Sequence, residues 1–345
     1  MLTRYLGALK VSEQGLGCMG MSEFYGDTNR EESLATLERA FALGVNFFDT
    51  ADGYGFGANE ELLGEFIKKH NREDLILATK CGIVRDKNVP TKRGINNQSE
   101  YIKLCCENSL NRLQTNYIDL YYLHRINEDN DGQGAPLETS MQAFADLLLQ
   151  GRIKYVGLSE ASCDQIQRAH DALLKHTHEK HGLTAVQSEY SLLTRTPELD
   201  GVLDICKKMN IGFVAYSPLS RQLLTTAIQD TNITFSAQDF RSTLPRFSKT
   251  NLVYNLEVIA KIKEFANKKS CTVAALAIAW VMARRNYIVP IPGTKRIKYL
   301  EENLSASKVH LSQEDLLELD KLVPPSSVIG ERYTEAAMKL YHLKS

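Results

Sequence analysis

The sequence has no run approaching the roughly 20 apolar residues that a membrane helix needs. Its opening, MLTRYLGALKVSEQG, lacks the continuous apolar stretch of a signal peptide. None of its seven cysteines, Cys18, Cys81, Cys105, Cys106, Cys163, Cys206 and Cys271, forms a CxxC pair, and an odd number argues against a disulfide framework. Reduced, mostly buried thiols in a cytoplasmic protein are therefore expected. Strong charge is missing as well: the formal net charge is −1, so no overall positive field recruits nucleic acid or anionic lipid. The stretch with G-x-G-x-x-G spacing, GLGCMG (15–20), is itself read as a strand and not as a loop following one, so a Rossmann-type site is not supported. No HxH closes a strand, which argues against a metal-dependent barrel hydrolase. No metal is expected: His176, His178 and His181 crowd together in a charged segment that reads as an exposed helix end, and the acidic loop 126–136 does not have calcium-loop spacing.

What the sequence does have is alternation. Short apolar, β-branched or aromatic runs recur at 15–20, 45–50, 75–80, 117–123, 153–158, 184–189, 211–216 and 287–291. Most are nearly continuous apolar runs, as parallel strands buried on both faces should be. Helical stretches separate them. Residues 28–43 are expected to start at a capping box of Thr28 with Glu31, to place Leu34, Leu37 and Phe41 on one face, and to end at Gly44. Residues 100–113 put Ile102, Cys105, Cys106 and Leu113 on one side, and Ser162 with Gln165 and Ser312 with Asp315 read as further capping boxes. A hairpin is expected around 4–14, and an extended loop over 217–250. Eight uninterrupted β/α units predict an α/β fold, a (β/α)8 TIM barrel with an N-terminal hairpin and long loops at its C-terminal face. One domain over 1–345 is expected, with a core of about 14–323 and a tail of 324–345.

In such a barrel, chemistry gathers at the C-terminal ends of the strands. Asp49 closes the second strand, Lys80 the third and His124 the fourth; Ser159, Gln187, Tyr216 with Ser217, and Gly293 with Thr294 follow on the later ones. Each alone has a structural explanation, as helix cap, loop packing or core imidazole. Their convergence at successive strand ends points to a site. A lysine ending an apolar strand needs a carboxylate partner, which Asp49 supplies. Tyr54, five residues on in DTADGYGFG, is expected beside that lysine with its pKa lowered from about 10, ready to donate a proton. An acid that protonates a developing alkoxide, with no nucleophile or metal beside it, is what carbonyl reduction requires.

The chain resembles an aldo-keto reductase along nearly its whole length. The resemblance rests on FFDTADGYG (47–55), ATKCG (78–82), DLYYLHR (119–125), GRIKYVGLS (151–159), AYSPL (215–219) and IPGTKRIKYLEEN (291–303). DFRSTLPRF (239–247) and GERY (330–333) resemble the longer bacterial, fungal and plant-type branch. The resemblance implies a catalytic tetrad of Asp49, Tyr54, Lys80 and His124, and NADPH as cofactor. Tyr216 then matches the ring beneath the nicotinamide, and Ser159 and Gln187 the residues that hold its carboxamide. Ser217, Pro218, Leu219 and Arg221 match the pyrophosphate loop, though Ser220 and Gln222 stand where glycines are usual. Gly293, Thr294, Lys295 and Arg296 precede a helix, where N–H groups and two cations suit an adenosine 2′-phosphate. By the same resemblance, Glu302 and Asn303 are expected to face the adenine. Glu160 replaces a common Asn and stays outside this set.

The expected activity is NADPH-dependent reduction of aldehydes or ketones to alcohols. The competing class is a nucleotide-binding regulatory subunit on the same fold with slow turnover. The expected partner is a small carbonyl substrate, with no nucleic acid and no membrane; oligomeric state is open. Pocket walls are expected from Met21, Phe24, Tyr25 and Phe56, and from residues after 217.

Overall fold

The computed structural model describes residues 1–89, 93–129, 131–236 and 239–341. The last four positions of the expected tail, Asn130 of loop 126–136 and positions 237 and 238 of the 217–250 loop lie outside the described residues.

The chain begins with an antiparallel hairpin, β1 (Thr3–Leu6) and β2 (Leu9–Ser12). Barrel strands then alternate with helices: β3 (Leu16–Gly17), α1 (Arg30–Ala42), β4 (Phe47–Asp49), α2 (Ala58–Ile67) and β5 (Ile76–Cys81). A second small hairpin follows, β6 (Ile83–Arg85) and β7 (Arg93–Ile95), before α3 (Ser99–Leu113), β8 (Ile118–Leu123), α4 (Leu137–Leu149), β9 (Ile153–Ser159) and α5 (Cys163–His176). The chain continues through β10 (Ala185–Glu189), α6 (Thr196–Leu199), α7 (Val202–Lys208) and β11 (Gly212–Tyr216). After three short 3-10 turns come α8 (Lys249–Lys268), α9 (Val273–Arg284), β12 (Ile288–Pro290), α10 (Ile297–Leu304), α11 (Gln313–Leu322) and α12 (Glu335–Leu340). No helix among the described residues is long and apolar enough to cross a membrane.

The eight barrel strands run β3-β4-β5-β8-β9-β10-β11-β12, each parallel to the next. The ring closes where the Gly15 N–H donates to Pro290 O at 3.0 Å and Gly17 bridges Gly293. The sequence motif there has a steric cause: a Cβ on Gly17 would lie 2.8 Å from the Ile291 carbonyl oxygen. All eight expected strands are present, the first shortened to two residues because only Leu16 and Gly17 pair.

Two apolar layers hold this arrangement. Leu6, Leu9 and Val11 of the hairpin join Phe47, Leu120, Val214 and Val289 inside the barrel, so the hairpin plugs its N-terminal end. The approach is close: a Cβ on Gly212 would sit 2.3 Å from Leu6 Cα. The outward faces of the strands pack against the helices in a larger cluster, where Leu37, Cys105, Cys106 and Leu113 are buried and Leu34 and Phe41 half-buried.

Both later capping boxes form, Ser162 with Gln165 and Ser312 with Asp315. The first does not. Asn29, not Thr28, caps α1, its Oδ1 accepting from the Glu32 N–H at 2.9 Å. Asn is as strong a cap as Thr and stands one residue closer to the helix. The helix ends as expected, with Gly44 at φ +89.

Candidate active site

The C-terminal ends of the strands open into a cavity of about 1100 Å³. Asp49, Tyr54, His124, Ser159, Gln187 and Tyr216 line one part of it. Ser217, Pro218, Leu219 and Arg221 line another, with Gly293, Thr294, Lys295, Arg296, Glu302 and Asn303. Among the catalytic and cofactor candidates, Lys80 alone stands behind the wall, fully buried. The strand register explains the grouping: Asp49 pairs with Ala78 on the neighbouring strand, two residues before Lys80, and Ser159 pairs with Gln187.

Lys80 Nζ donates to Asp49 Oδ1 at 2.5 Å and to the Thr50 carbonyl at 2.7 Å. Gln187 Nε2 donates to the other Asp49 oxygen at 2.8 Å. The Asp49 carboxylate therefore has a partner on each oxygen. Burial raises the Asp49 carboxyl above its ordinary value and lowers the Lys80 ammonium, each opposed by the other's charge. Lys80 Nζ lies 5.2 Å from the Tyr54 ring centroid.

Here the structure corrects an expectation. The Tyr54 hydroxyl is pushed well above the usual tyrosine value, first by burial and then by the Asp49 charge, not lowered by Lys80. The cation's field is largely cancelled by the carboxylate in contact with it. Tyr54 is thus held protonated. His124 packs edge-on to Tyr54 with ring centroids 5.9 Å apart. Burial, then Arg125 and Lys80, hold this imidazole well below its ordinary value, so it is neutral. Its Nδ1 is buried without a partner among the described residues.

The 217–222 turn answers how a glycine-type loop forms without glycine. Ser217, Ser220, Arg221 and Gln222 all have positive φ, between +45 and +78. Such backbone costs a non-glycine residue about 1 kcal/mol or more and persists only when surroundings hold it. Three side-chain anchors do so. Ser220 Oγ bonds Ser191 Oγ at 2.8 Å, the Gln222 amide oxygen accepts from Arg241, and Arg221 Nη2 donates to Glu189 at 2.8 Å. Arg221 also donates to the Arg332 carbonyl at 2.9 Å, so its charge is matched within the protein.

Further round, Arg296 is the N-cap residue of α10 and its side chain is 58% exposed. Lys295 instead donates to the carbonyls of Tyr25 at 3.0 Å, Gly26 at 3.4 Å and Asp27, clasping the 25–27 loop. Phe24 and Tyr25 line the cavity as expected. Met21 and Phe56 do not: Met21 is buried in the helix-side core, and the Arg85 guanidinium stacks 4.0 Å over the Phe56 ring.

Sequence reasoning missed three contributors. Arg125, 5% exposed, donates to Ser159 Oγ at 2.9 Å. Tyr333 and residues of α12 line the cavity, the Tyr333 hydroxyl lying 3.2 Å from that of Tyr216. Glu160, at φ +57 where Asn sits more easily, receives Arg332 through both oxygens at 2.9 and 2.7 Å. The visible signals were the residue after His124 in DLYYLHR and the GERY motif, but neither spacing says where its side chain goes.

A cavity of this size, with a polar floor, an aromatic ring and a helix N-terminus beside an exposed arginine, fits a nicotinamide dinucleotide phosphate. The comparisons agree with the fold. Residues 14–324 match the Aldo/keto reductase family. An aldo-keto reductase of Schizosaccharomyces pombe, named with NADP(+), is 40% identical over 97% of this chain and 95% of its own. A probable aldo-keto reductase of Glycine max is also 40% identical, over 94% of this chain and 89% of its own. Among solved structures, the glycerol dehydrogenase of Gluconobacter oxydans superposes with a TM-score of 0.80 at 26% identity, covering 94% of this chain and 96% of that one. A thermostable aldo-keto reductase bound to the inhibitor epalrestat superposes at 0.71 and 29%, covering 93% and 100%. This chain belongs to the aldo/keto reductase family of oxidoreductases.

Proposed function

We propose that this protein reduces aldehydes or ketones to alcohols with NADPH, Tyr54 delivering the proton. The observation that carries the reading is a protonated Tyr54 and a neutral His124 facing one cavity, backed by the buried Lys80–Asp49 pair. When bound, the cofactor supplies the hydride. Ser159 and Gln187 would hold its carboxamide, Tyr216 would stack on its ring, the 217–221 turn would take its pyrophosphate, and Thr294 and Arg296 its 2′-phosphate, with Lys295 clasping the 25–27 loop beside them. Glu302 and Asn303 would face the adenine.

His124 orients the substrate oxygen by hydrogen bonding, and being neutral it does so without adding charge. As negative charge builds on that oxygen, the Tyr54 O–H transfers its proton to it, and the tyrosinate left behind faces Lys80. The Asp49 carboxylate holds Lys80 in place and Gln187 holds Asp49, so the proton donor works against a fixed background of charge.

Tyr54→Phe removes only the donated proton. Reduction is expected to fall by a factor of about 10² to 10⁴, with NADPH affinity nearly unchanged. Near-normal turnover overturns the assignment. The contact of the Tyr333 hydroxyl with that of Tyr216, the ring proposed to stack on the nicotinamide, favours a second reading, a nucleotide-binding subunit that turns over slowly. Stopped-flow mixing of the NADPH-loaded protein with 4-nitrobenzaldehyde separates the two: rapid oxidation of bound cofactor supports the reductase, and none supports the regulatory subunit.

A further inference from the structure

The cavity holds more cation than the cofactor's phosphates account for. Among the described residues it is lined by Arg85, Arg93, Arg125, Arg221, Lys295 and Arg296, against the carboxylates of Glu23, Asp49 and Glu302. Asp49 is matched by Lys80. Arg221 is paired with Glu189, Lys295 is held by the 25–27 carbonyls, Arg296 stands at the proposed 2′-phosphate position, and Arg85 is paired with Glu23 at 2.6 Å. Arg93 and Arg125 remain, with no carboxylate in ion-pair contact among the described residues.

Arg93 faces Arg85 directly across the β6–β7 ribbon, a like-charge register that destabilises a two-stranded pair. Arg125 is nearly fully buried, donating to the His124 carbonyl at 2.6 Å and to Ser159 Oγ, while its Nε has no partner among the described residues. Both line the cavity together with Tyr341, whose ring centroid lies 5.2 Å from the Arg125 guanidinium. A guanidinium stays charged at any working pH, and its planar fork matches a carboxylate or phosphate. Glu160 acts on Arg125 only from beyond ion-pair contact and is itself bound by Arg332 through both oxygens, which leaves the Arg125 guanidinium open to an anionic ligand.

We propose that Arg93 and Arg125 form an anion subsite for the substrate, so that the preferred aldehyde or ketone carries a carboxylate or phosphate. The assignment rests on the reductase reading. Arg125 directly follows His124, which places the charged group close to the reacting carbonyl.

The test compares 4-carboxybenzaldehyde with its neutral methyl ester on the NADPH-loaded enzyme. The acid is expected to be favoured at least tenfold in kcat/KM, mostly through KM. Arg93→Gln is expected to cut that ratio at least fivefold and Arg93→Lys to restore part of it, with NADPH fluorescence reporting that each variant is folded. No preference in the wild type, or an unchanged ratio in Arg93→Gln, overturns the proposal. Calorimetric titration of benzoate, phenyl phosphate and benzamide into the wild-type NADPH complex needs no turnover. If neither aldehyde is reduced, the reductase reading fails on its own. Benzoate or phenyl phosphate binding tenfold more tightly than benzamide still supports the subsite, and the tighter of the two names the head group. Equal or absent binding overturns it.

Discussion

Asp49 and Asp52, three residues apart in DTADGYG, are both pushed upward by burial, but only Asp49 has a cation in contact. Asp52 is raised to about 7 by burial and by Glu60, and its Oδ1 is buried without a hydrogen-bond partner among the described residues. A carboxyl whose folded-state pKa lies above its unfolded value favours folding least once pH has risen through the folded value. Its penalty grows from an ordinary 3.8 and is complete above about 7. Asp52→Asn keeps the shape and removes the titration. Its Tm gain over wild type is therefore expected to be larger at pH 8 than at pH 5, read by calorimetry; an equal gain at both would mean that Asp52 does not titrate in this range. The types and positions of Asp49, Tyr54, Lys80 and His124 were legible in the sequence. The direction in which Tyr54 shifts was not, because it depends on how closely Asp49 cancels Lys80.

At the scale of elements, α10 and the 217–222 turn show how far spacing carries. The basic residues before α10 were visible as GTKRIKYLEEN, and the helix starts there. Their division of labour was not visible. Lys295 is engaged by the 25–27 carbonyls, whereas Arg296 is exposed beside the cavity, with Glu32 3.8 Å away. Arg296→Ala is expected to remove a charge-assisted bond of about 1.5–3 kcal/mol to the 2′-phosphate. That corresponds to roughly ten- to hundredfold in NADPH affinity, with little change for NADH. Lys295→Ala should affect both cofactors alike through the loop it clasps. Dissociation constants by fluorescence for the four combinations check this; equal loss of NADPH and NADH in Arg296→Ala would take the 2′-phosphate away from that side chain. The turn was legible by resemblance but not by composition. Its left-handed backbone is held by Ser191, Arg241 and Glu189, each brought in from a different part of the chain.

Across the whole molecule, buried ion pairs of Arg332 tie the tail to the barrel, one to Glu160 and one to Glu189 at 3.9 Å. Arg332 and Glu160 are separated by 172 positions yet bond through two contacts. Arg332 and Arg125 overcome the effect of burial and depress Glu160 from 4.5 to about 2. A depressed carboxyl stabilises the fold above its unfolded value, and that contribution is lost as pH falls from about 4.5 through about 2. Glu160→Gln is expected to be clearly less stable than wild type at pH 7, with the gap narrowing by pH 3. Chemical unfolding at both pH values measures it, and a gap independent of pH would show that the pair contributes nothing through charge. The same variant should make the 333–341 segment more susceptible to limited proteolysis.

Eight apolar runs at barrel spacing, with ionisable residues at their ends, were enough to read the fold class and the four candidate catalytic positions, because strand burial and strand order are local and sequential properties. The Asn29 cap was open to the same local reasoning and was missed by one residue. Tertiary structure alone decided the rest: the protonated state of Tyr54, the pairing of Arg221 with Glu189, the lining of the cavity by α12, and the two arginines with no carboxylate in ion-pair contact among the described residues. Each depends on which distant charges become neighbours in a low-dielectric interior. Coulomb energies there vary with ångström separations that sequence spacing does not encode.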